Sequence, residues 1–284
     1  MAEPSTRFTP GNVQRSSPLR IMNASPCTSP PLPRNRVAAL LDRLTPQLAH
    51  EAIAWVEVAG ERQVLPRIRV TGAYAGHDPI RLGLFAGLHG DEPAGCEALI
   101  EFANALAAEP QLAAGYELFL YPVINPAGLC AGTRSNHLGR DLNREFWRQS
   151  GEVEVQAIER ELRQHEFDGL ITLHADDTCE GVYGYAHGRV LNEALLVPAL
   201  EAARHFLPID GRAIIDGFPA RAGLISDCFC GVLSPPPEQQ PKPFDLILET
   251  PAHADFARQV AANVAALQAI LATYPGFIAY AQDL

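Results

Sequence analysis

In the stretch GLFAGLHGDEPAGCEALIEF, residues 83–102, His89 and Glu92 stand three positions apart in a short polar step between two apolar runs. An imidazole and a carboxylate so placed are metal-ligand types. Zinc in hydrolases takes three protein ligands from His, Asp or Glu and leaves one position open for water. Two other apolar runs finish in the same way: DGLITL runs into His174-Ala175-Asp176-Asp177, and FDLIL into Glu249-Thr250-Pro251. His89, Glu92 and His174 would complete a ligand set for one zinc ion per chain. Glu249 is then the strand-end carboxylate available as general base for the attacking water. H-x-x-E by itself recurs by chance, and a lone strand-end histidine is more often a satisfied hydrogen-bonding group. The motif needs a scaffold that brings its parts together.

The surrounding pattern predicts such a scaffold. RIRVTGAYAG, IRLGLFAGL, YELFLYPVIN, DGLITLHADD, GVYGYAHG and FDLILET read as strands. EPAGCEALIEFANALAAE, EVEVQAIERELRQHE, LNEALLVPALEAARHF and HADFARQVAANVAALQAILATY read as helices, and RVAALLDRLTPQLAHEA has helical spacing up to its proline. Strands alternating with amphipathic helices imply an α/β fold, with a central mixed, mainly parallel sheet covered on both faces in three layers. In open sheets of this kind, sites gather at the carboxyl ends of strands. His89 stands at such an end, ahead of a helix that starts near Pro93, a residue suited to a first helical turn.

Composition narrows the partners. The 284 residues carry 22 Lys and Arg against 33 Asp and Glu, a net charge of -11, which argues against nucleic acid. The longest apolar stretches are broken within about ten residues, so no membrane span is expected. The first residues lack the basic start and apolar core of a secretory signal, and a cytoplasmic location is the expectation. Residues 1–34, rich in Pro, Ser, Arg and Asn, are expected to form a disordered or loosely attached arm, and residues 35–284 a single catalytic domain. The six cysteines lack the paired spacing of a structural zinc site; Cys228 and Cys230 form the one close pair. Oligomeric state has no signature here.

The segment NPAGLCAGTRSNHLGRDLNREFW, residues 125–147, adds Arg134 and the run Gly139-x-Asp141-Leu142-Asn143-Arg144-x-Phe146. With H-x-x-E upstream and a strand-end histidine downstream, the chain closely resembles the zinc metallocarboxypeptidase family over about residues 65–275. The spacing of TRSNHLGRDLNREF is most similar to the bacterial murein peptide amidase branch. The resemblance implies that His89, Glu92 and His174 hold zinc and that Glu249 activates water and later passes the proton to the leaving amine. It further implies that Arg134 stabilises the oxyanion, while Asn143 and Arg144 grip a substrate carboxylate. A planar guanidinium suits each of the arginine roles. Asp141 is expected to hold the loop. Family carboxypeptidases usually carry a mobile tyrosine upstream of the glutamate, yet residues 217–248 contain none; Tyr183 and Tyr185, on another segment, are given no catalytic role. Side-chain selectivity is expected to arise between about Gly181 and Ser234, including Arg221 and Asp227.

Succinylglutamate desuccinylases and aspartoacylases also resemble the chain, at HGDE and DLNR, but carry a further domain after the catalytic glutamate. Here 35 residues follow Glu249. The expected activity is hydrolysis of an amide beside a free carboxylate, in a small peptide. The alternative is an N-acyl amino acid hydrolase.

Overall fold

The computed structural model describes residues 36–58, 60–74, 78–186, 189–226, 229 and 231–282. The expected N-terminal arm, Asp227, Cys228 and Cys230 lie outside them. Residues 32–284 make one compact unit. Its strands are β1 (His50–Val58), β2 (Glu61–Thr71), β3 (Ile80–Ala86), β4 (Tyr116–Tyr121), β5 (Gly169–Asp176), β6 (Tyr183–Ala186), β7 (Ile214–Ile215), β8 (Phe218–Pro219), β9 (Leu224–Ile225) and β10 (Phe244–Pro251). Its helices are α1 (Arg36–Leu41), α2 (Pro93–Ala108), α3 (Pro126–Ala131), α4 (Val153–His165), α5 (Arg189–Leu191), α6 (Val197–Ala203) and α7 (Phe256–Gln282), with a π-helical turn over Asn192–Leu196.

Eight strands form one sheet in the order β1-β2-β4-β3-β5-β10-β6-β9. The central four, β4, β3, β5 and β10, run parallel, while β1, β2 and β4 pair antiparallel and β6 runs against β10. This is the expected mixed α/β architecture. The central strands are nearly continuous apolar runs because both faces are covered. On one face, Leu82, Leu84 and Leu118 pack with α1, α2, α6 and α7. On the other, Phe85, Phe119 and Tyr121 pack with Val155, Ile158 and Leu162 of α4. The chain leaves β3 towards β4 by way of α2 and leaves β4 towards β5 by way of α4, on the opposite face. The carboxyl ends of β3 and β5 therefore flank a topological switch point, where such sheets leave a crevice.

Two expectations need correcting. Only residues 36–41 of the first helical pattern form a helix, and the residues after its proline enter β1, an edge strand paired with β2. One face of this strand packs on α4 through Val56, and a bulge between Ala52 and Ala54 interrupts the alternation of burial along HEAIAWVEV. The expectation that no segment approaches a membrane span also fails on length and composition. Phe256–Phe277 of α7 has 22 residues and a mean hydropathy of 1.3. Its Val260, Ala262, Ala266, Leu267, Ile270 and Leu271 are buried in the sheet-covering core, which accounts for the apolar sequence.

Candidate metal centre and active-site cleft

The three strand ends are neighbours. β3, β5 and β10 lie side by side and parallel, so His89 just past β3, His174 in β5 and Glu249 in β10 all reach the same edge of the sheet. His174 and Glu249 are register partners. Glycines make the tight exit from β3 possible. Gly87 has φ +65°, and a Cβ on Gly90 would lie 1.8 Å from the backbone of Gly128, a collision that no rotamer relieves. Asn125 completes the junction: its carboxamide oxygen accepts the Gly128 N–H at 2.8 Å, and its Nδ2 donates to the carbonyls of Leu88 and Arg134. One side chain thus fastens the His89 turn to the loop that carries Arg134.

His89, Glu92 and His174 are buried, and one ligand atom from each lies within 4.8 Å of the others. His89 Nδ1 is 2.6 Å from one Glu92 oxygen and His174 Nδ1 is 2.8 Å from the other. Among the described residues this is the one such cluster. Burial opposes the charge on Glu92, but His174 and His89 outweigh it and hold its carboxyl down at about 2. Burial likewise disfavours a His89 cation, yet Asp141 and Glu92 raise its affinity for a proton. Burial comes first for His174 and leaves it below the usual histidine range. A buried carboxylate between two imidazoles, with no lysine or arginine forming its closest contacts, is a donor set that suits a divalent zinc ion. Asp141 supports it from behind, 3.1 Å from His89 Nε2, an arrangement that orients a metal-ligating imidazole.

The loop residues gather around this cluster. Arg134 donates to Asp141 at 3.0 Å and approaches Glu92 at 3.7 Å. Asp141 also accepts the Asn143 backbone N–H at 3.0 Å, so the expectation that it holds the loop agrees with its contacts. The Asn143 side chain accepts the Leu233 N–H at 2.9 Å and donates to His174 Nε2 at 3.3 Å. Arg144 donates to the Asn143 carbonyl at 2.7 Å and lies over the Phe229 ring, 5.0 Å from its centroid.

All seven residues singled out in the sequence, His89, Glu92, Arg134, Asn143, Arg144, His174 and Glu249, line one cleft of about 500 Å³. Glu249 is half-buried there, and desolvation first, then the charges of Glu92, Asp176 and Asp216, push its carboxyl well above the ordinary range.

The cleft also contains residues that sequence reasoning set aside. Tyr183 and Tyr185 of β6, expected to stand apart, line it because β6 is the antiparallel neighbour of β10, with Tyr183 in register with Glu249. Tyr183 donates to Asp176 at 3.1 Å and Tyr185 to Asp216 at 3.0 Å. Within the interval expected to govern selectivity, Tyr183, Tyr185, Asp216, Phe229 and Val232 reach the cleft, whereas Arg221 is exposed outside it. Alternation of small and aromatic residues in GVYGYAHG was the available signal for a strand, but nothing in it named the strand's neighbour.

Comparison with known proteins agrees with this geometry. Residues 79–194 match the model of the succinylglutamate desuccinylase/aspartoacylase catalytic domain. No protein of curated function matches the chain by sequence. Among solved structures, a protein of Shewanella baltica OS155 with a provisional metallopeptidase name is 25% identical, with a TM-score of 0.65, over 83% of this chain and 88% of that one. The metallo-carboxypeptidase of Pseudomonas aeruginosa, in complex with (2-guanidinoethylmercapto)succinic acid, is 20% identical with a TM-score of 0.63, over 86% and 70%. The murein-tripeptide amidase of Escherichia coli O157 is 17% identical with a TM-score of 0.51, over 81% and 94%. The chain has a metallocarboxypeptidase-like fold, and its residues 79–194 match the catalytic-domain model of the succinylglutamate desuccinylase/aspartoacylase family.

Proposed function

We propose that the protein is a zinc-dependent hydrolase that cleaves an amide bond beside a free carboxylate. One observation carries this reading: a His-Glu-His cluster, a half-buried glutamate and an arginine that can receive a carboxylate line a single cleft. His89, Glu92 and His174 would hold one zinc ion, which supplies Lewis acidity toward a carbonyl and toward water. Glu249 takes the proton of the attacking water and delivers it to the departing amine, the general-base and general-acid halves of one role. Arg134, already beside the cluster, stabilises negative charge growing on the carbonyl oxygen. Arg144 and Asn143 receive the substrate's carboxylate and so fix the position of the scissile bond.

A peptide and an N-acyl amino acid both fit this description. The family match over residues 79–194 keeps the second as the alternative. The test is zinc analysis of the purified protein, followed by turnover of short peptides and N-acyl amino acids with free or amidated termini. Amidation leaves the Arg144 guanidinium without its partner and is expected to cost about 100-fold or more in kcat/KM. Equal rates on free and amidated substrates, or a protein that binds no zinc, overturn the proposal. Turnover confined to small N-acyl compounds selects the alternative.

A further inference from the structure

We propose that Asn143 is a positioning residue for the ligand imidazole of His174, so that the run Asp141-Leu142-Asn143 clasps both histidines of the cluster from outside. The inference rests on the metal site of the hydrolase reading above and gives Asn143 a role besides contact with substrate.

The two histidines are held in the same manner. His89 turns Nδ1 towards one Glu92 oxygen at 2.6 Å and His174 turns Nδ1 towards the other at 2.8 Å, so Nε2 is the outer nitrogen of each ring. Asp141 meets the outer nitrogen of His89 at 3.1 Å, and Asn143 Nδ2 meets that of His174 at 3.3 Å. His89 comes from the exit of β3 and His174 from β5, yet their outer partners stand two residues apart in one short turn. The turn is itself fixed. Asp141 accepts the Asn143 backbone N–H at 3.0 Å, and Leu142 between them is buried in the core with Phe85 and Phe146. What meets the outer nitrogen of a ligand imidazole sets the ring's orientation.

The other end of the carboxamide is not idle. Asn143 Oδ1 accepts the Leu233 N–H at 2.9 Å, a bond buried on both sides. Leu233 belongs to a segment docked along the same loop: the Phe146 N–H donates to the Gly231 carbonyl at 3.3 Å, and Trp147 Nε1 donates to the Ser234 carbonyl at 3.0 Å. Leu233 and Leu142 also share one hydrophobic core. The segment is therefore a brace that fixes which way the Asn143 side chain faces and keeps it on His174. With Oδ1 on Leu233 and one Nδ2 hydrogen on the ring, a second Nδ2 hydrogen is what remains for a substrate oxygen. Substrate contact alone does not call for a carboxamide buried and held at both ends.

The test compares the wild type with N143A, N143L, N143D and R144A. Zinc affinity is read by competition with a chelator, and ligand geometry by the visible absorption of the cobalt(II) form. N143A and N143L both delete the contact with His174, the second with the volume kept. Each is expected to weaken zinc binding about 10-fold to 100-fold and to change the cobalt spectrum while circular dichroism stays native. Aspartate can accept from the Leu233 N–H and from a protonated His174 Nε2, as Asp141 can from His89 Nε2, so N143D is expected to restore zinc affinity and spectrum. Its charge opposes a substrate carboxylate, so KM for benzoylglycyl-phenylalanine is expected to rise about tenfold or more with zinc still bound. R144A, which removes the substrate's partner alone, is expected to raise KM and leave zinc affinity unchanged. Wild-type zinc affinity and cobalt spectrum in N143A and N143L overturn the inference and leave the hydrolase reading standing. A loss that N143D does not restore overturns it too. The expected metal shifts in a protein without turnover keep the inference and overturn amide hydrolysis, whereas a wild type that takes up no zinc overturns both.

Discussion

A carboxylate at the end of β10 has two opposing demands on it. As the proposed base Glu249 must be ionised to take a proton, yet burial and three neighbouring acids push its carboxyl well above the ordinary range. A divalent cation held by His89, Glu92 and His174 would reverse that balance, because an opposite charge a few ångströms away favours the ionised form. The same residue can then regain the proton for the leaving group. Replacing it with glutamine keeps the volume and removes the basicity. In Glu249→Gln, kcat is expected to fall by roughly 100-fold or more with KM little changed. Metal content is expected to stay at the wild-type value, since the residue is no ligand in this reading. Steady-state kinetics with elemental analysis on the same sample checks both parts.

At the scale of elements, β10 carries a second acid on the same face as Glu249. Asp245 and Glu249 are four residues apart, and side chains alternate along a strand. Asp245 stands at the amino end, where one carboxyl oxygen is buried without a hydrogen-bond partner. Burial raises its carboxyl from 3.8 to about 7, with only partial relief from Lys242. A carboxyl that holds its proton more tightly when folded is neutral and harmless below the unfolded value. Between pH 3.8 and about 7 the folded state loses stability as pH rises, because the unfolded chain ionises first. Asp245→Asn removes this loss. Its melting temperature at pH 8 is expected to exceed that of the wild type by about 3 °C or more. At pH 4 the two proteins are expected to melt together. Thermal melts across this range measure the difference.

For the whole molecule, the question is what metal adds to a fold whose core is complete without it. The proposed ligands come from segments 85 residues apart, His89 to His174, and join the two sides of the switch point. An ion that binds only the folded arrangement stabilises it by mass action. Zinc at saturating concentration is expected to raise the melting temperature by ~5 °C or more. His174→Ala should lose both the bound zinc and this increment, while its circular dichroism stays native because the sheet and its helical layers do not depend on the ion. Stoichiometric zinc retained in both His89→Ala and His174→Ala would remove the cluster from the function.

The sequence by itself carried the strand ends and their chemistry. His89, His174 and Glu249 each follow an apolar run, and local patterning is enough to show a strand finishing on a polar group. Arg134, Asn143 and Arg144 were legible through the spacing of one loop and its resemblance to a family. Only the tertiary structure decided which strands are neighbours. β1 was missed because a bulge between Ala52 and Ala54 breaks the periodicity of this edge strand. Tyr183 and Tyr185 reach the cleft because β6 pairs with β10, whose Glu249 lies 66 residues further along the chain than Tyr183. Asp216 joins them from a hairpin outside the main sheet. Periodicity records how each segment meets the core, whereas strand order is a property of long-range pairing, and the composition of the cleft follows from that order.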